Sequence, residues 1–324
     1  MKQKVLISRR HLAGILAIGV VIALLFLVRG WQQARAEITT DITSPLLAYS
    51  DTLALVRFQV DGPVAPVSSL GGACGPVEGV LQDKAGEPLA QVGATTPNAG
   101  FMACTTDETG ISHYTLIFWG DFRARPPHQI QIRFLHTTSD ALSNLLWKGF
   151  KKASWASIIG PSHHGVSLTD ALQTPNLILL RLCAQLPSAE DWHPRGELLL
   201  NGEVWEIVSS GIPNFRKPGA LGTSERCFIA LLEKSSSWAS RAETTHGVQF
   251  HLRWERSLPE CFSAEAYRRD IEPFLQKHGL SPEHAGLTQQ LDFWCLGTSI
   301  HPDFWEFLQK EWRYGPTYTL QLAP

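Results

Sequence analysis

The chain has 324 residues, with 28 Lys and Arg against 30 Asp and Glu and a formal net charge of −2. Six of the bases and none of the acids lie in the first 36 residues, so the remaining 288 carry 22 against 30, a net charge of −8. That balance argues against a nucleic-acid partner, whose phosphates select clustered Lys and Arg, while the length suffices for two modest domains with separate cores.

From Leu12 to Val28 the chain runs 17 residues without a charge or an amide. As a helix rising about 1.5 Å per residue, this run nearly crosses a hydrocarbon core. Lys2, Lys4, Arg9 and Arg10 precede it and only Arg29 and Arg35 follow closely, so the positive-inside bias places the N-terminus in the cytoplasm. The reading is a cytoplasmic tail at 1–10, a transmembrane signal-anchor at 11–29 and a spacer at 30–50. It makes a single-pass protein of the bacterial inner membrane with its C-terminal region in the periplasm. Ala34-Arg35-Ala36 supplies the alternative, export after cleavage at Ala36. Ser8-Arg9-Arg10-His11-Leu12 matches a twin-arginine signal only loosely.

Six cysteines lie beyond the apolar run, at Cys74, Cys104, Cys183, Cys227, Cys261 and Cys295. An even number in an oxidising space reads as a disulfide set. No Cys-x-x-Cys spacing occurs, so the usual signatures of thiolate zinc sites and thioredoxin-type exchange are missing. The expected pairing is sequential: Cys74 with Cys104, Cys183 with Cys227, Cys261 with Cys295. In each of two β units one cysteine precedes a Gly-Glu turn and one follows it, and the last pair brackets the chain's helical end.

In chain order, Leu53 to Val60 is a β-branched and aliphatic run closed by Asp61-Gly62-Pro63, a strand ending in a turn. Gly79 to Glu87 reads as a hairpin, and Tyr114 to Trp119 and His128 to His136 as two more strands. In the last of these His128, Ile130, Ile132, Phe134 and His136 alternate with Gln129, Gln131 and Arg133. Leu142, Leu145, Leu146 and Phe150 then fall at helical spacing behind a capping residue, which predicts an amphipathic connector helix over 138–152. Its Trp147, Lys148, Lys151 and Lys152 offer a second reading, contact with an anionic membrane surface.

Beyond residue 176 the pattern begins again. Leu177 to Arg181 echoes Leu53 to Arg57, Gly196 to Glu203 echoes the first hairpin, and His246 to Trp254 echoes His128 to His136, all in the same order. Past Cys261, Ser263 to His278, Ser281 to Leu296 and Pro302 to Trp312 read as short helices, with Pro282 and Pro302 at first helical positions. Tyr318 to Leu322 closes the chain as a strand. The expected fold class is therefore mainly β with a small α region, all-β to α+β. It comprises two tandem β-sandwich-like domains at 51–137 and 176–257, a connector at 138–175 and a helical C-terminal region at 258–324.

Candidate chemistry is sparse. His163-His164 sits in a Gly- and Pro-bounded loop beside Ser162, but no Asp, Glu or Cys stands at ligand spacing and no Gly-x-Ser-x-Gly elbow is present. Glu190-Asp191 is an acidic pair of the kind found in loops. No catalytic, cofactor-binding or metal-ligating residue is assigned, and the enzyme reading is disfavoured. Eleven tryptophans permit a glycan-binding reading, though most occupy positions where cores need bulk. Trp294, Phe304, Trp305, Phe307, Trp312 and Tyr314 crowd the helical end and form the candidate partner surface. The favoured function is a membrane-anchored accessory or scaffold subunit of a bacterial envelope assembly, such as secretion, pilus, conjugation or division machinery, binding other envelope proteins. The alternative is an exported enzyme or glycan-binding protein acting on envelope polymers.

Overall fold

The computed structural model describes residues 41–43, 45–61, 74–93, 99–135, 144–159, 165–186, 192–211, 225–235 and 248–322. The apolar run at 12–28, Ser162, His163, His164, Glu190 and Asp191 lie outside these. Among the described residues no helix is long and apolar enough to cross a membrane.

The first body contains β1 (Asp41–Ile42), β2 (Leu46–Tyr49), β3 (Leu53–Asp61), β4 (Val77–Gln82), β5 (Pro88–Val92), β6 (Gly100–Thr106), β7 (Ser112–Trp119), β8 (Gln129–Phe134), β9 (Leu145–Lys148) and β10 (Lys151–Lys152). One sheet runs β10-β2-β3-β7-β6 with β1 beside β3, and the other runs β5-β4-β8-β9. They enclose a core of Val56, Phe58, Val60, Leu81, Tyr114, Leu116, Phe118, Ile130 and Ile132. Strand alternation explains this: β8 shows Ile130, Ile132 and Phe134 buried, with Gln131 and Arg133 exposed between them.

The second body contains β11 (Val166–Gln173), β12 (Leu177–Gln185), β13 (Trp192–Leu200), β14 (Glu203–Gly211), β15 (Glu225–Lys234) and β16 (Val248–Arg256), and is completed by the chain's last strand, β20 (Tyr314–Leu322). These form one sheet in the order β11-β12-β15-β14-β13-β16-β20. Its pairing scheme repeats that of the first body. The pairs β2–β3, β3–β7, β6–β7, β4–β5, β4–β8 and β8–β9 correspond to β11–β12, β12–β15, β14–β15, β13–β14, β13–β16 and β16–β20. The difference lies at β14, which does the work of both β5 and β6: its first residues, Glu203 to Glu206, pair with β13, and Trp205 to Gly211 pair with β15 across a register shift between Ile207 and Ser209.

Small details repeat too. Leu53 N donates to Ser50 Oγ (3.1 Å), and Leu177 N donates to Thr174 Oγ1 (3.1 Å). In each turn the Ser50 or Thr174 backbone N–H returns a 2.8 Å bond to the carbonyl of that leucine.

The two bodies meet through corresponding residues. Ala48, Leu53, Leu55 and Ile117 pack against Leu172, Leu177, Leu179 and Leu231 in one cluster, and matching strand registers make these equivalent positions. The contact has the self-complementary form of a two-fold interface, built within a single chain. Because the first halves of β3 and β12 are covered on both faces, residues 53–56 and 177–180 are continuous apolar runs, and beyond Arg57 and Arg181 burial alternates. At the rim, Asp170 is buried and its Oδ2 accepts from Ser50 Oγ (2.8 Å), Thr52 N (2.6 Å) and Thr52 Oγ1 (2.7 Å). Arg57 pairs with Glu233 at 2.8 Å.

Between β16 and β20 a small module is inserted. It comprises β17 (Cys261–Ser263), α1 (Ala264–Ala266), a π-helical turn (Tyr267–Ile271), α2 (Glu272–His278), α3 (Pro282–Ala285), β18 (Leu287–Gln290), β19 (Phe293–Leu296), α4 (Pro302–Phe307) and a second π-helical turn (Leu308–Trp312). The sheet order is β17-β19-β18.

Two sequence expectations are corrected here. Within 138–152 the described residues are not helical: Leu145–Lys148 is strand β9, with Leu145 and Trp147 on the core side and Leu146 and Lys148 exposed. Pairing with β8 overrides the helical spacing, and Gly149 at φ +100° ends the strand. Likewise only the first turn of 281–296 is helical. Gly286, at φ +89°, caps α3 after Ala285, and a Cβ at that position would meet Ser299 O at 2.2 Å. The rest of the segment folds as the β18–β19 hairpin.

The disulfides pair Cys74 with Cys104, Cys183 with Cys227 and Cys261 with Cys295, the sequential scheme expected from position. Three bridges mark the folded region as built for an oxidising, extracytoplasmic environment.

Candidate functional site

The inserted module owes its core to aromatic packing. Tyr267 stacks on Trp294 (4.5 Å between centroids), Phe274 on Phe307 (4.2 Å), and Phe262 meets Trp312 edge-on at 5.2 Å. Burial is the largest influence raising the Tyr267 hydroxyl above its usual pKa, with the charges of Glu272 and Glu283 adding to it.

The module is fastened to the second body by an arginine held between two indoles. The Arg256 guanidinium lies 3.6 Å from the Trp312 ring centroid and 4.8 Å from that of Trp192. Its Nε donates to Trp312 O (2.7 Å) and its Nη1 to Asp270 Oδ2 (3.0 Å), which also accepts from Trp312 Nε1 (3.1 Å). Alongside, Glu255 pairs with Arg313 and with Arg195, and Arg253 covers the Tyr314 ring at 4.3 Å. Cation–π contacts and charge-assisted hydrogen bonds of this kind fix orientation as well as position.

The six aromatic residues of the expected partner surface divide between core, contact and solvent. Phe304 and Trp312 belong to the module's core at 0 % and 3 % exposure. Trp294, Phe307 and Tyr314 are half-buried in the contacts just described, and Trp305 remains 43 % exposed. The sequence reading missed the tip of the β18–β19 hairpin, where Leu291 is 92 % and Phe293 49 % exposed. Leu291 also has φ +54°, in the left-handed region. A branched aliphatic residue there, in full contact with water, gains nothing from burial and carries backbone strain of about 1 kcal/mol or more. The available signal was Gly286, whose role as a helix stop leaves Leu287 onward free to form strands.

Beside Trp305 lies an open groove of about 620 Å³, lined by Leu258, Pro259, the Cys261–Cys295 bridge, Leu296 and Ile300, with Glu260 and Gln290 at its rim. It mixes apolar side chains with polar surface, and no acid and base converge in it. Among the described residues no cluster of three or more His, Cys, Asp or Glu is placed to hold a metal ion.

A His–Asp pair exists elsewhere, at the β6–β7 turn. There His113 Nε2 lies 3.1 Å from Asp107 Oδ2, and His113 Nδ1 lies 3.2 Å from Gln59 Nε2. The Thr109 hydroxyl first, and His113 second, hold the Asp107 carboxyl far below the ordinary range. One imidazole nitrogen is taken up by Asp107 in the turn and the other by Gln59 of the neighbouring strand β3, so the pair holds the turn and ties it to the sheet.

The described tryptophans do not assemble a stacking platform. Trp192, Trp205, Trp254 and Trp312 are buried, and of the nine described tryptophans only Trp305 is exposed.

In comparison with known proteins, no family model matches the chain, and no curated protein does.

Proposed function

We propose that the chain is an accessory or scaffold subunit of a bacterial envelope assembly, anchored in the inner membrane by residues 11–29 and presenting its β bodies and inserted module to the periplasm. On this reading the two β bodies are a duplicated unit, fused through their two-fold-like interface into a rigid mount. The module is the working surface, which binds a protein partner through Leu291, Phe293 and Trp305.

The observation that carries this reading is Leu291. A leucine in a strained backbone conformation and 92 % exposed, at the tip of a hairpin tied by the Cys261–Cys295 bridge, is the kind of apolar anchor that a partner's pocket covers. The groove beside Trp305 is lined by Gln290, the residue that precedes Leu291 in the hairpin.

The test is co-purification from solubilised membranes. Leu291→Asp combined with Phe293→Asp leaves the module core of Phe262, Tyr267, Ile271, Leu275, Phe304 and Leu308 untouched, so the fold and its thermal midpoint are expected to persist. Recovery of the partner is expected to fall about 30-fold, the effect of losing about 2 kcal/mol of anchor contact. Undiminished recovery with a folded double variant would remove the module from the binding role.

A further inference from the structure

The repeated pairing scheme allows each seam of one body to be compared with its counterpart. In the second body the strands bordering the seam are long: β11 has eight residues and β20 nine. In the first body the corresponding strands, β2 and β9, have four residues each. The shortfall leaves an open groove of about 510 Å³ between Pro45, Leu46 and Leu47 on one side and Leu146, Trp147 and Lys148 on the other.

Two features make this groove a strand site. First, β9 is the last strand of its sheet, so its outer edge has no strand partner among the described residues. On the facing side, β10 pairs only with Ala48 and Tyr49 of β2 and leaves Leu46 and Leu47 without a strand neighbour on that side. An edge strand presents its backbone N–H and C=O groups as a template for another extended chain. Second, the floor is aromatic: Trp147 packs edge-on against Phe58 at 4.9 Å, and Leu146 stands 52 % exposed at the lip.

The charge at the groove selects the guest. Its lining carries Lys148 and Lys151, both exposed, and no acidic residue. The neighbouring Lys152 is already paired with Asp51 at 2.7 Å. A second copy of this chain, pairing β9 with β9, would bring like charges together, and a carboxylate-bearing strand would neutralise them.

We infer that the seam between β2 and β9 binds an extended, acidic segment of a partner protein, inserted as a strand along β9. A guest matching the four residues of β9 spans about 13 Å at about 3.3 Å per residue. This site is separate from the Leu291 surface and goes beyond the function proposed above.

The test is amide hydrogen exchange on the full chain in detergent, with a short blocked peptide of alternating valine and glutamate as probe and its valine–lysine counterpart as control. At a concentration ten times its dissociation constant the acidic peptide should slow exchange of the β9 amides about tenfold, and the basic peptide should leave them unchanged. Lys148→Glu with Lys151→Glu should transfer the protection to the basic peptide, while Lys148→Gln with Lys151→Gln should weaken it for the acidic one. Capture through Leu291 should be unaffected in both variants. Protection by neither peptide, equal protection by both, persistence of acidic-peptide protection in the Glu variant, or protection that rises with protein concentration alone would overturn the inference.

Discussion

Arg256→Ala is expected to lower the stability of the folded region by about 3 kcal/mol, read as a shift of the urea midpoint with tryptophan fluorescence as the probe. The side chain is 8 % exposed and Asp270 is 16 % exposed, so solvent screens the pair only weakly. Truncation removes the guanidinium from between Trp192 and Trp312, strands part of the Asp270 charge and deprives the Trp312 carbonyl of a donor. The alanine variant should also let the inserted module move relative to β16, because this arginine touches both.

The same pair has a pH signature. Burial by itself would raise the Asp270 carboxyl. The Arg269 hydrogen bond and the charges of Arg256 and Arg269 more than reverse this and hold it below the ordinary carboxylate range. With the folded pKa below the unfolded value of about 3.9, the interaction contributes fully above that unfolded value. It is lost as pH falls through the lower, folded one. The gap between wild type and Arg256→Ala should therefore be widest near neutrality and narrow below about pH 4. A gap that stays constant across that range would assign the loss to packing alone.

The second large effect is expected from Cys183→Ala with Cys227→Ala. The bridge closes a separation of 44 residues, for which chain entropy predicts a stabilisation of about 4 kcal/mol. It joins directly paired positions on β12 and β15, on the same strand faces that supply Leu177, Leu179, Ile229 and Leu231 to the interface with the first body. The double variant should lower the denaturation midpoint without altering the folded circular dichroism spectrum, and reduction of the wild type should move its midpoint at least as far. A wild-type midpoint insensitive to reduction would contradict the assigned bridge.

What was legible in the sequence follows physical lines. The strands starting at Leu53 and Leu177 were readable because burial on both faces writes their first four residues, 53–56 and 177–180, as an unbroken aliphatic run. The disulfide pairs were readable because each lies within one structural unit, although the bridges of the two β bodies are not equivalent: Cys104 lies on β6, whereas Cys183 and Cys227 lie on β12 and β15, the counterparts of β3 and β7. Leu145–Lys148 misled because four apolar residues at helical spacing also satisfy a strand that puts Leu145 and Trp147 inward, and only the partner strand decides between the two. The surface was half legible for a related reason. Counting aromatics finds Trp305, but Phe304 and Trp312 are equally aromatic and lie in the core. Leu291 becomes visible only once Gly286 is recognised as ending α3 and the next residues as a hairpin.

The central claim, that the module's hairpin tip and Trp305 form the partner-binding surface, is tested most directly by placing a photo-crosslinking amino acid at single positions in living cells. Placement at Leu291 or Trp305 should give a discrete, heavier adduct containing the chain and one partner, and placement at Thr169 on β11, which is also exposed, should give none. Adducts from Thr169 with none from Leu291 and Trp305 would contradict the account.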